Sequence, residues 1–269
     1  MEFLLGFLMQ LIYTVGIIFL FGWVIALMRR GFCGIAGLGG PKILLATGII
    51  GTPVHELSHA AMCLLFGHKI TEVKLYTPKA QDGSLGYVSH TYNKKNIYHQ
   101  IGNFFIGVAP IMLGGSAIIL LLALLLPNAY DTVSYEISAF ANSDLDNLPI
   151  ADFFGLIGTS ITEIFSPDSL SIWQGWVFII LAIMISTHME MSGSDIKSSF
   201  TGLIFLIIFA LLVEGAVYLI SPTAFHAITG ATASFGFSLA AILSLSALFL
   251  FLLIIVAAII RGIAAIFSK

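Results

Sequence analysis

The sequence predicts an all-α polytopic membrane protein of about six transmembrane helices, with a small membrane-surface β-hairpin between the second and the third. Three observations predict it. First, 58% of the 269 residues are hydrophobic and 9% are charged, whereas a soluble domain is about a quarter charged. A chain this apolar cannot cover a water-facing surface, so lipid is its solvent. Second, six runs approach the roughly 20 apolar residues that cross a hydrocarbon core: 3–28, 43–66, 101–126, 171–189, 200–220 and 237–260. Third, the segment after the second run alternates polar and apolar residues in two stretches separated by turn chemistry.

Each element has its local reason. The first run lacks a basic flank and is too long for the apolar core of a cleavable signal, so it is expected to be retained as a span. The fourth is the shortest and ends in Ser186-Thr187-His188. Between the second and third, Thr71 to Tyr76 and Leu85 to Tyr92 are strand-forming, with Gln81-Asp82-Gly83-Ser84 between them. The loop 127–170 is acidic, without lysine or arginine, and Ile150 to Phe165 suits a short amphipathic helix. The 67–100 loop carries Lys69, Lys74, Lys79, Lys94 and Lys95, which places it in the cytoplasm. With six spans both chain ends join it there, in keeping with Arg261 and Lys269, while Arg29, Arg30 and Lys42 fall outside, against the rule. A cell-membrane protein whose site opens toward the cytoplasm is expected. No repeat or long linker divides the chain, so 1–269 reads as a single membrane-embedded domain. Net charge is −3 with no basic block, so no nucleic acid is expected as a partner. Two cysteines make no disulfide framework, and Cys63 reads as a small buried hydrophobe.

The chemistry lies in the second span, in His55-Glu56-Leu57-Ser58-His59. Residues four apart share a helix face, so His55 and His59 can bind one metal. Glu56 stands about 100° round the helix, placed to take a proton from water. Imidazole and carboxylate ligands with one open position suit a single Zn2+. Five residues of this kind are a weak match in a soluble protein. At bilayer depth an ionisable group costs about 2.5–3.5 kcal/mol on insertion scales, so the cluster needs a compensating role. Gly48, Gly51 and Pro53 just before it permit close approach or local unwinding. Catalytic zinc takes three protein ligands. The third is open among Asp195, His188, Glu190 and Glu214, with His226 in the next loop. Asp195 also reads as part of a helix N-cap with Ser194, and His188 as an interfacial histidine or a group that orients substrate. His68, His90 and His99 read as surface histidines of the 67–100 loop.

In organisation, residues 43–200 resemble the site-2 protease class of intramembrane zinc metalloproteases. The order is HELSH, the hairpin with Gly86-Tyr87-Val88, the segment Ile106-Gly107-Val108-Ala109-Pro110 through Gly114, then His188 to Asp195. The chain departs from the family in lacking Leu-Asp-Gly and in placing His188 about where the family has an asparagine. The resemblance implies that Asp195 is the third zinc ligand and that segments 1–42 and 200–269 are accessory helices. It also implies that the hairpin receives an unwound substrate strand by strand addition. The expected activity is hydrolysis of membrane-spanning or membrane-anchored proteins, with Glu56 as general base. A membrane metal-binding or ion-transport protein using the same cluster, and a protease with Glu214 as third ligand, are the alternatives. Substrate identity and oligomeric state are not legible.

Overall fold

The computed structural model of the chain describes residues 1–78, 84–143 and 150–267. Helix α1 (Glu2–Leu11) passes through one wider π turn, Ile12–Gly16, into α2 (Ile17–Ala36). Gly37, with φ of +55°, stops the helix, and a single tight turn, Gly37–Gly39, leads to α3 (Gly40–Leu65). A side chain would strain that backbone. Gly67 repeats the device at φ +70° and releases the chain into β1 (Lys69–Lys74), which pairs antiparallel with β2 (Tyr87–Thr91). The register sets Lys69 opposite Thr91 and Lys74 opposite Tyr87, with an irregularity between Ile70 and Glu72. The expected hairpin is therefore present. Its turn residues Gln81, Asp82 and Gly83, and Lys79, lie outside the described residues.

Asn96 caps α4 (Ile97–Leu125) by accepting from the Tyr98 amide at 2.9 Å. Next come α5 (Pro127–Ala141) and α6 (Ile150–Ile164), the latter being the amphipathic helix expected in the acidic loop. A short α7 (Pro167–Ser171) precedes α8 (Trp173–Ser186), α9 (Gly193–Ile220) and α10 (Pro222–Phe267). Fully buried Ile25, Ile111, Phe178 and Phe249 show α2, α4, α8 and α10 converging on one core.

The count of six spans is not confirmed. Among the described residues, four stretches are long and apolar enough to cross a membrane: Glu2–Leu65, Ile97–Leu125, Gly193–Ile220 and Pro222–Phe267. The first reverses at Gly37–Gly39. Trp173–Ser186 has 14 residues, about 21 Å at 1.5 Å per residue, which is short of a hydrocarbon core.

Helix directions explain the difference. Phe3 packs against Tyr218 and Phe19 stacks on Phe200, so α1–α2 and α9 are antiparallel. Gln10 donates to Thr229 at 3.0 Å, Tyr13 packs on Phe237, and Arg261 donates to the carbonyls of Gly34 and Ile35 at 3.2 and 3.1 Å. Thus α10 runs parallel to α1–α2. Phe178 packs on Phe249, while Met189 reaches Gly114 and also Gly115, which Ile242 and Leu243 of α10 approach as well. So α8 runs against α10, in the same sense as α9. The fourth and fifth predicted spans are two pieces of one descending path, interrupted at 187–192. The expectation that Arg261 shares a side with the 67–100 loop falls with it, because Arg261 sits beside the opposite end of α3.

A reporter placed after residue 267 is accordingly expected on the same side as one at 37–39. Strict alternation of six spans would put it with a reporter at 93–96. Accessibility to an impermeant reagent distinguishes the two, and co-location with 93–96 would refute the parallel packing.

Candidate metal centre

Helix α3 carries both histidines on one face, but two other elements aim them. His55 Nδ1 lies 2.7 Å from the carbonyl oxygen of His188, and His59 Nδ1 lies 2.7 Å from that of Ile106. A carbonyl only accepts, so each ring carries its proton on Nδ1 and turns a bare Nε2 lone pair inward. The two Nε2 atoms stand 3.1 Å apart. Tetrahedral bonds of about 2.0–2.1 Å place neighbouring ligand atoms about 3.3 Å apart.

The two carbonyls are available for a local reason. In a regular helix the Ile106 carbonyl accepts from residue 110, and residue 110 is Pro110, inside α4 with no N–H to give. His188 lies just beyond the end of α8, where the last carbonyls have no helical donor.

Asp195 completes the group. Its Oδ1 is 3.5 Å from His59 Nε2 and its Oδ2 is 3.9 Å from His55 Nε2. The ligand atoms of His55, His59 and Asp195 all lie within 4.8 Å of one another, a group able to hold a metal ion. The capping alternative is realised at the same time, with a shifted frame. Ser192 is the N-cap, its side chain accepts from the Asp195 amide, and Asp195 Oδ2 accepts from the Ser192 amide at 2.8 Å and hydroxyl at 2.6 Å. The cap fixes the carboxylate from behind while Oδ1 faces His59.

The other candidates are engaged elsewhere. The His188 ring faces Thr47 at 3.0 Å and Thr52 at 3.4 Å, and only its carbonyl serves the centre. Glu190 pairs with Arg29, which also draws Arg29 away from the role of a loop charge. Glu214 faces Gln10, 19 residues along α9 from Asp195, about 28 Å by helical rise. His226 pairs with Glu2 at 3.1 Å.

Close helix approach makes this possible. A Cβ on Gly51 would fall on the Met184 carbonyl oxygen, and one on Gly107 on the Asp195 carbonyl and the Ser199 hydroxyl. Small residues let membrane helices meet backbone to backbone. Close approach at Gly51 is therefore realised, whereas the local unwinding also expected near Pro53 is not, since α3 is continuous from Gly40 to Leu65.

Buried Glu56 sits beside the pair, its Cγ 2.8 Å from where a Cβ on Gly86 would be. Glu56, both histidines and Asp195 share a cavity of about 500 Å³ that Gly86 to His90 of the hairpin also line. Ser192, Ser194 and Ser198 give it a polar flank. The residue that sequence reasoning missed is Ile106, which acts through its backbone. Its only signal was a proline four positions later in a span. No protein-family model, curated protein or solved structure matches the chain.

Pro110→Ala returns an amide proton that competes with His59 for the Ile106 carbonyl. Metal affinity is expected to fall about 10–100-fold, the usual effect of losing such an outer partner, while the helix itself is strengthened. A chelator-competition titration measures it; unchanged affinity would refute the role given to Ile106.

Proposed function

We propose that the chain is a zinc-dependent intramembrane endopeptidase of the site-2 protease kind, acting on membrane-spanning or membrane-anchored proteins. One observation carries the reading. Two imidazoles are locked by backbone carbonyls so that their Nε2 atoms and the Asp195 carboxylate converge, beside a buried glutamate in a cavity walled by a strand. Two nitrogens and one carboxylate leave a tetrahedral ion one open position, the pattern of a catalytic rather than a structural zinc. Zinc held there supplies Lewis-acid polarisation of the scissile carbonyl and makes a water acidic enough to attack near neutral pH.

The chain's own residues do the remainder. A substrate helix hides its carbonyls in its own hydrogen bonds and must be unwound before attack. The sheet has two strands, with β2 paired to β1 along one edge. Its cavity side at Gly86 to His90 offers backbone groups that hold an unwound segment by strand addition. Glu56 accepts the proton of the attacking water and returns it to the departing amine. The serine-lined flank admits water to an otherwise apolar bundle. Asp195, held by the Ser192 cap, balances the two imidazoles without reorganising. The hairpin lines the cavity, and the lysines of 67–100 favour a cytoplasmic position for that end of the chain's helices.

Glu56→Gln is expected to lower cleavage of a membrane-tethered peptide about 10²–10⁴-fold, the usual contribution of a general base, with bound zinc unchanged. Cleavage at the wild-type rate would refute the assignment. Asp195→Asn is expected to lose activity together with the zinc held by His55 and His59.

A further inference from the structure

Of the histidines of the 67–100 loop, His68 is buried and His90 and His99 are half-buried. His68 is 3% exposed. Its Nδ1 faces His90 Nδ1 at 3.0 Å, and its ring stacks on Tyr92 at 4.6 Å. Behind them lies Cys63, fully buried and outside any disulfide. The Sγ of Cys63 and one ring nitrogen each of His68 and His90 lie within 4.8 Å of one another. These three residues belong to three different places: the last turn of α3, the residue after Gly67, and strand β2.

We propose that Cys63, His68 and His90 form a second metal site, for Zn2+, distinct from the group of His55, His59 and Asp195. The geometry repeats that of the first centre. His68 Nε2 lies 2.9 Å from the His99 carbonyl oxygen, which accepts only. The proton of His68 therefore sits on Nε2, and Nδ1 presents a lone pair to His90. The Nδ1–Nδ1 separation of 3.0 Å matches the 3.1 Å between the two Nε2 atoms of the first centre. A lone His–His hydrogen bond accounts for those two nitrogens but not for a cysteine sulfur meeting them in an enclosed position. One thiolate and two imidazoles are a donor set that zinc favours. On binding, the Cys63 thiol gives its proton to solvent and sulfur bonds as the thiolate.

The site has a mechanical consequence. A two-stranded hairpin is marginal alone, and β2 here lines the cavity that holds Glu56. A metal joining β2 to α3 through His90 and Cys63 fixes that lining. Cys63 follows His59 by one helical turn, about 6 Å of rise, so the two centres stand on one helix.

Metal analysis of the purified full chain in detergent tests this. Two zinc ions per chain are expected, with one remaining in Asp195→Asn and one in His90→Gln. Cobalt gives a readout that needs no folding of a risky variant. The cobalt-loaded wild type and Asp195→Asn are expected to show thiolate-to-cobalt charge-transfer absorption in the near ultraviolet. The His55, His59 and Asp195 centre, which has no sulfur, cannot produce it. One zinc per chain that disappears in Asp195→Asn, or cobalt loading without a thiolate band, would overturn the second site. The outcome is independent of whether Glu56→Gln loses proteolysis, so each proposal can fail without the other.

Discussion

Two backbone carbonyls without helical donors hold the candidate metal centre of this protein. One, at Ile106, is left unpaired by Pro110, and the other, at His188, by the end of α8. Each takes the Nδ1 proton of one histidine of α3. An unpaired carbonyl inside a membrane protein is expensive, and so is an imidazole with a free proton. Pairing them removes both costs and leaves two lone pairs facing inward. The helices α4 and α8 therefore have to sit where they do, and Gly51 of α3 and Gly107 of α4 have to be glycines.

The second constraint is the interruption between α8 and α9. A continuous span carries its polar groups on side chains only. A broken one exposes carbonyls at the end of its first piece and amides at the start of its second. Here the first piece supplies the His188 carbonyl and the second supplies Asp195, fixed by the Ser192 capping box. Irregular backbone at membrane depth is tolerated where protein surrounds it or where it lines a cavity, and this one does both. Arg29 of α2 pairs with Glu190 of the same interruption, which neutralises two charges that lipid would reject.

HELSH was legible from its own spacing, because a four-residue interval fixes a shared face whatever the helix packs against. The hairpin and the helix at Ile150–Ile164 were legible from their alternation and amphipathy. The span count was not. Length and hydropathy read 171–189 and 200–220 as separate crossings, and only their contacts with α10 and α4 show them descending together. His68 and His90 looked like loop histidines because polarity says nothing of burial. The Gly67 turn folds His68 back under the hairpin, and register carries His90 to it.

The sequence by itself determined a membrane-embedded helical chain with His55, Glu56 and His59 on one turn of helix, since composition and periodicity act locally along the chain. It also offered Asp195, but together with His188, Glu190 and Glu214. Tertiary structure chose among them. Glu190 goes to Arg29, the His188 ring to two threonines, and Glu214 lies far down α9, so Asp195 alone of the four meets both histidines. The physical reason is that a ligand set depends on where separate helices are packed, and packing at Gly51 and Gly107 is decided by partners more than 80 residues away in the chain.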